Sequence, residues 1–180
     1  FEEVKQAFDP GNLFNPGKIV NPHKMDDREI MRFAPGYEPI KLETKLDWSE
    51  WGGINRALEM CNNNGACRKS HVGTMCPSYR VTKDEQHLTR GRANSLRLAI
   101  TGQLGPDAFS SEAMYETMDL CVGCKGCKRE CPTGIDMARM KVEFLDQYHQ
   151  RHGTKMREKL FAYLPRYAPK IKSLHFLLNL

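Results

Sequence analysis

The stretch LCVGCKGCKRECPTG crowds four thiols into eleven residues: Cys121, Cys124, Cys127 and Cys131 follow C-x2-C-x2-C-x3-C-P. Thiolates are soft ligands, suited to iron–sulfur clusters and to zinc. Three of them at intervals of three, on a loop loosened by Gly123 and Gly126, can wrap three corners of one iron–sulfur cube. The fourth sits just past them, and Pro132 turns it away, so that in a two-cluster arrangement it serves the other cluster. Structural zinc usually takes two C-x2-C knuckles from separate loops, which four thiols so closely spaced cannot easily supply. Seven cysteines cannot pair completely as disulfides within the chain, and without a secretory signal clustered cysteines point to metal.

If the fourth thiolate is shared between two halves, a second Cys-Pro should stand elsewhere, and Cys76-Pro77 is that pair. One cube is then assigned to Cys121, Cys124, Cys127 and Cys76. A second would use Cys61, Cys67 and Cys131, which accounts for all seven cysteines. Its fourth corner falls in CNNNGACRK, midway between Cys61 and Cys67, where the residue is Asn64. A neutral amide is a harder and poorer ligand than thiolate. Three outcomes stay open for the second site: a three-iron cluster, a four-iron cluster whose odd iron takes oxygen or nitrogen from Asn64 or His71, or no cluster at all. Lys125, Lys128 and Arg129 lie in or beside the run, and Arg68 and Lys69 follow Cys67. Positive charge there raises a cluster's potential, though a solvated basic loop would look the same. Arg90, Arg92 and Arg97 are expected on a plain exposed helix face.

These thiols need elements to hold them. INRALEM puts Ile54, Leu58 and Cys61 on one helical face and leads straight into the first cysteine. Cys76-Pro77 is expected to stop the loop that follows. TRGRANSLRLAITG predicts a helix with Thr89 as N-cap, Ala93, Leu96 and Ile100 buried, and Gly102 as its stop. SSEAMYETMDL predicts a serine-capped helix with Met114, Tyr115 and Met118 inward. Asp136 then caps DMARMKVEFLDQYHQ, whose Met137, Met140, Phe144, Leu145 and Tyr148 make an apolar stripe. Upstream, Val4 and Phe8 share a short helical face, and Asp9-Pro10-Gly11 and Asn15-Pro16-Gly17 force two turns. Between the two regions lies a polar, irregular stretch that Trp48 and Trp51 pin to a neighbour. No segment alternates with period 2, so strands are expected to be scarce.

The bulk properties bound the function. At 180 residues, with 40% hydrophobic content and a net charge of +5, the chain is an ordinary globular sequence. No apolar run approaches the roughly 20 residues of a membrane span. The basic excess gathers at residues 151–172, which hold seven Lys/Arg against Glu158 and suit a solvated face or a docking surface. Base-reading or base-stacking groups are not evident, which argues against nucleic acid as a partner. The start at Phe1 and the apolar end LHFLLNL both look cut, as in a piece of a larger polypeptide.

Two stretches carry a resemblance. FDPGNLFNPGKIV resembles the last turn and strand of the FAD-linked oxidase C-terminal domain, which ends flavoproteins of the D-lactate dehydrogenase and glycolate oxidase type. The segment from CNNNGACRK through MCPSYRVTKDEQHLTRGRANSLRLAI to LCVGCKGCKRECPTGIDMAR resembles the iron–sulfur domain appended to them, an α-helical ferredoxin. Together they are similar to bacterial FAD and iron–sulfur fusion enzymes acting on D-2-hydroxy acids. The resemblance implies a mainly α fold: the end of an α+β oxidase domain at 1–25, a linker at 26–54, an α-helical ferredoxin at 55–148, and a helical connector at 149–180 to a further domain. It implies a 4Fe-4S cluster, with a second left open by Asn64, and FAD in an upstream domain of the same polypeptide. Electrons would pass from FAD to a quinone or a carrier protein, in the cytoplasm or in peripheral contact with the inner face of the membrane. No residue here is expected to move a proton. The rival reading is a free-standing ferredoxin-like carrier subunit, which would not need FDPGNLFNPGKIV.

Overall fold

The computed structural model describes residues 1–31, 33 and 35–170. The apolar end LHFLLNL, and with it the last part of the 149–180 connector, lies outside the described residues. Two compact units divide the chain, Phe1–Glu38 and Pro39–Leu180.

The first unit opens with helix α1 (Glu2–Phe8), whose first turn carries Glu2 and Glu3. Acidic groups there complement the positive end of the helix dipole. Asp9 follows and organises the turns beyond it. Its carboxylate accepts the backbone N–H of Leu13 at 2.9 Å and of Phe14 at 2.9 Å, and pairs with the Lys5 ammonium. Residues 9–20 run on as successive turns and bends, without a strand. A strand persists only where a neighbour takes up its backbone hydrogen bonds, and among the described residues none does.

The Lys5 hydrogen bond, reinforced by the two backbone donors, lowers the Asp9 pKa from 3.8 to about 2. The folded-state value is the depressed one, so the stabilisation is present above 3.8 and fades as pH falls through about 2. The Leu13 and Phe14 amide resonances should titrate together with a midpoint near 2, and Asp9→Asn should abolish that titration. A midpoint near the ordinary carboxylate value would show the contacts to be absent.

The second unit is built around helix α4. Its elements in order are α2 (Ile54–Glu59), α3 (Pro77–Thr82), α4 (Thr89–Ile100), α5 (Glu112–Asp119), α6 (Gly126–Glu130), α7 (Met137–His152) and α8 (Met156–Tyr167), joined by short 3-10 turns. Helices α2, α5 and α7 and the turns Glu85–His87 and Ala108–Ser110 pack against α4. The buried positions of α4, Thr89, Arg92, Ala93, Leu96, Ala99 and Ile100, recur at the helical interval and make one face. Gly102 stops it as expected: at φ 75° it closes a Schellman turn, its N–H on Ala99 O and the Gln103 N–H on Leu98 O. Thr89 is the first helical residue rather than the cap, because the turn Glu85–His87 runs directly into the helix and leaves Leu88 in the cap position.

Ser111 caps α5 by accepting from Met114 N, and Asp136 caps α7 by accepting from Arg139 N. Met137, Met140, Phe144 and Tyr148 form the buried stripe of α7, with Leu145 half-buried. Glu143, fully buried, sits in the middle of that stripe. Its carboxylate accepts Lys45 N at 2.8 Å, Leu46 N at 3.0 Å and Trp48 Nε1 at 3.0 Å. Arg139 lies over the rings of Trp48 and Trp51, 4.6 Å and 5.3 Å from their centroids. Residues 45–51 are thereby fastened to α7, so this part of the polar stretch belongs to the helical unit. No strand occurs among the described residues.

Candidate metal centre

The two cysteine stretches meet between α3 and α6. Cys76 immediately precedes α3, and Pro77 occupies that helix's first position, where its missing N–H costs nothing. The Cys-Pro pair therefore opens a helix instead of only stopping a loop. Cys121 follows the end of α5, its N–H on Met118 O at 3.0 Å. Its own carbonyl accepts Lys141 Nζ at 2.7 Å, which also donates to Asp119 O at 2.9 Å. Burial pushes the Lys141 pKa down. Lys125 takes a left-handed conformation, φ 58°, and starts α6, whose first residues are Gly126 and Cys127.

Gly126 is needed there for close approach. A Cβ on it would lie 3.3 Å from Thr74 Cβ and 3.4 Å from Met75 N. At the other end of α6 the Glu130 carboxylate takes the N–H groups of Thr74 at 2.5 Å and Met75 at 3.1 Å. Those two bonds hold its pKa below the usual carboxylate value. One helix thus grips the segment that carries Cys76 and also presents Cys127.

The result is a small cavity lined by Cys76, Cys121, Cys124 and Cys127 together with Arg92 and Met137. All seven cysteines are free thiols. Among the described residues no three His, Cys, Asp or Glu side chains close on the point a single metal ion would occupy. The four thiols line a common space, and thiolates are the ligands that iron–sulfur clusters take. Burial raises the Cys127 pKa. Cys124 is exposed, so the cavity reaches the surface at that corner.

The remaining cysteines are placed differently. Cys131 ends α6 and is not among the cavity's lining residues. Burial pushes its thiol up, but hydrogen bonds from Thr133 and from the backbone of Ile135, Thr133 and Gly134 outweigh this and lower its pKa. Cys67 lies buried in the 3-10 turn Ala66–Arg68, against which α6 packs. Burial raises its pKa, and the neighbouring Cys61 adds to the rise. Asn64 is exposed and acts as a turn former: its Oδ1 accepts Ala66 N at 2.8 Å and its Nδ2 donates to Asn62 Oδ1. Asn63, left-handed at φ 61°, is held by Asn94 Nδ2 at 2.6 Å. His71 is exposed. The residues therefore fit one four-thiolate cluster, and the second set offers three thiols and an amide already committed to its own turn.

The arginines of α4 do not form an exposed face. Arg90 and Arg97 are half-buried and Arg92 is 0% exposed. Spacing could have shown this, since Arg92 falls on the stripe of Thr89, Ala93 and Leu96. Two of the other basic groups are neutralised locally, Arg68 by Glu85 at 3.0 Å and Lys128 by Asp136 at 3.4 Å.

Residues 57–135 match the family described as a 4Fe-4S dicluster domain, and residues 1–19 match the C-terminal domain of FAD linked oxidases. The chain is similar to D-2-hydroxyglutarate dehydrogenase of Pseudomonas putida, 27% identical over 91% of this chain and 19% of that protein. It is 30% identical to D-2-hydroxyglutarate dehydrogenase of Pantoea ananatis over 92% of this chain and 19% of that protein. A probable glycolate oxidase iron-sulfur subunit of Bacillus subtilis is 29% identical over 56% of this chain and 21% of its own length. The chain thus spans about a fifth of the length of these relatives. No solved structure matches it.

Proposed function

We propose that this chain, which carries a 4Fe-4S domain after the end of a FAD-linked oxidase C-terminal domain, is the electron-transfer part of a flavin-dependent dehydrogenase acting on a D-2-hydroxy acid. In this reading Cys76, Cys121, Cys124 and Cys127 hold one four-iron cluster. The observation that carries it is that four thiols from two distant stretches line a single cavity. The relatives' names, D-2-hydroxyglutarate dehydrogenase and glycolate oxidase iron-sulfur subunit, support the substrate class.

When bound, such a cluster supplies a one-electron store between a two-electron flavin and its acceptor. The chain's own part is to place the ligands, set local charge and limit water. Glu130 and Gly126 set the distance between the Cys76 segment and α6, and Lys141 fixes the Cys121 carbonyl. Met75 and Met137, each about 1% exposed, close the inner wall. Exposed Cys124 and Val122 leave one edge within reach of a quinone or carrier protein. FAD would lie in a domain preceding this one in the same polypeptide. No helix among the described residues is long and apolar enough to cross a membrane. We place the protein in the cytoplasm, touching the inner face of the membrane where the acceptor is a quinone.

Anaerobic reconstitution of the full chain, followed by iron and sulfide analysis and EPR after reduction, tests this. The expected content is about four irons and four sulfides per chain. Zinc without iron would overturn the reading. Seven or eight irons (roughly two clusters) would mean that Cys61, Cys67 and Cys131 hold a second cluster as well.

A further inference from the structure

Arg92 is a cation with no access to water. It is fully buried on α4, and no ion pair to a carboxylate is recorded for it among the described residues. Its Nε donates to Thr117 O at 2.8 Å. Its Nη1 donates to His87 O at 2.7 Å and to Ser78 Oγ at 3.1 Å, and lies 3.6 Å from Cys76 Sγ. Its Nη2 is buried without any hydrogen-bond partner. The same side chain lines the four-thiol cavity. A buried charge and a buried donor are both costly unless something opposite completes them.

Other groups account for the rest of the guanidinium. Thr117 O, His87 O and Ser78 Oγ are neutral, so they orient it without cancelling its charge. Among the described residues, its cavity side holds Cys76 Sγ, 3.6 Å from Nη1, and the space that the four thiols share. A four-thiolate cluster carries net negative charge, and reduction adds one electron more. An N–H donor and a fixed positive charge at that wall stabilise the reduced form more than the oxidised one.

We propose that Arg92 donates a charge-assisted hydrogen bond from Nη2 into this cavity, to cluster sulfide or ligand thiolate, and thereby holds the cluster's reduction potential up. The proposal rests on the assignment of Cys76, Cys121, Cys124 and Cys127 as ligands. It makes Arg92 a tuning and positioning residue, not a ligand.

The test is an EPR-monitored redox titration of the full chain as wild type, Arg92→Gln and Arg92→Lys, each with its iron counted. In Arg92→Gln the one-electron reduction equilibrium should weaken about tenfold, a fall of about 59 mV. Arg92→Lys, which keeps a charge but not the planar fork, should fall by less. Unchanged potentials in iron-loaded variants would overturn the proposal. Arg92→Gln exposes three carbonyl or hydroxyl partners and could lose its iron. For that case, pulsed EPR of the reduced wild type labelled with nitrogen-15 arginine should show a hyperfine coupling that Arg92→Lys removes. A wild type without the coupling would overturn the proposal. A wild type without iron would instead remove the ligand assignment beneath it, so the two failures are distinguishable.

Discussion

Cys76→Ser should lose most of its iron, while Cys131→Ser should keep the iron of the four-thiol cavity. The two residues are alike in sequence, each a cysteine before proline. The structure separates them: Cys76 lines the cavity with Cys121, Cys124 and Cys127, and Cys131 does not. A serine hydroxyl is harder than a thiol and gives up its proton far less readily, so the soft corner is lost rather than replaced. The helical frame should survive, since the contacts of Cys76 Sγ are long, to Ser78 Oγ at 3.6 Å, His87 O at 3.5 Å and Arg92 Nη1 at 3.6 Å. Iron and sulfide counts on the two variants, with far-UV circular dichroism as a folding control, check this. The reverse pattern, iron lost in Cys131→Ser and kept in Cys76→Ser, would sink the ligand assignment.

The second large effect needs no metal. In Gly91→Ala a new Cβ would stand 1.9 Å from Glu85 O and 2.9 Å from Glu85 C. Both sides of that contact are backbone, so no rotamer can relieve it. Helix α4 would have to move off the turn Glu85–His87, which would also pull Arg92 from His87 O. Overpacking of this kind costs about 3 kcal/mol, or roughly 10 °C in Tm for a chain of this size. Gly102→Ala is the matched control. Its φ of 75° strains an alanine, but nothing lies within 4 Å of the added methyl, so it should cost only about 1 kcal/mol. Thermal melts of the two variants should differ clearly, and equal melts would mean that α4 and the turn are not in contact.

Local chemistry made some of this structure legible beforehand. Ser111 and Asp136 cap the helices expected of them, because the side chain and the N–H it accepts are three residues apart. The apolar stripes of α4 and α7 follow from spacing alone. The sequence also set Cys76 beside the 121–127 run, on the ground that ligand sharing would demand a second Cys-Pro, and those four cysteines line one cavity. What escaped were residues whose roles depend on distant partners. Glu143 and Arg92 look like solvated charges until Trp48, Thr117 and His87 are placed beside them. Glu130 looks like a surface carboxylate until Thr74 and Met75 turn their N–H groups to it. Thr89 lost its cap role because the preceding turn leaves no slack.

The cavity also bears on how the protein matures. Its four lining thiols come from both ends of the stretch that contains α3, α4 and α5, Cys76 before it and Cys121 after it. A group bonded to both would clasp a loop of forty-five residues (121 − 76 = 45). By chain-entropy arguments such a clasp removes about 4 kcal/mol of freedom from the unfolded chain. Cofactor insertion would then add stability to a helical unit that its own packing already forms. Iron supply would govern how long a newly made chain lasts in the cell as well as whether it conducts electrons.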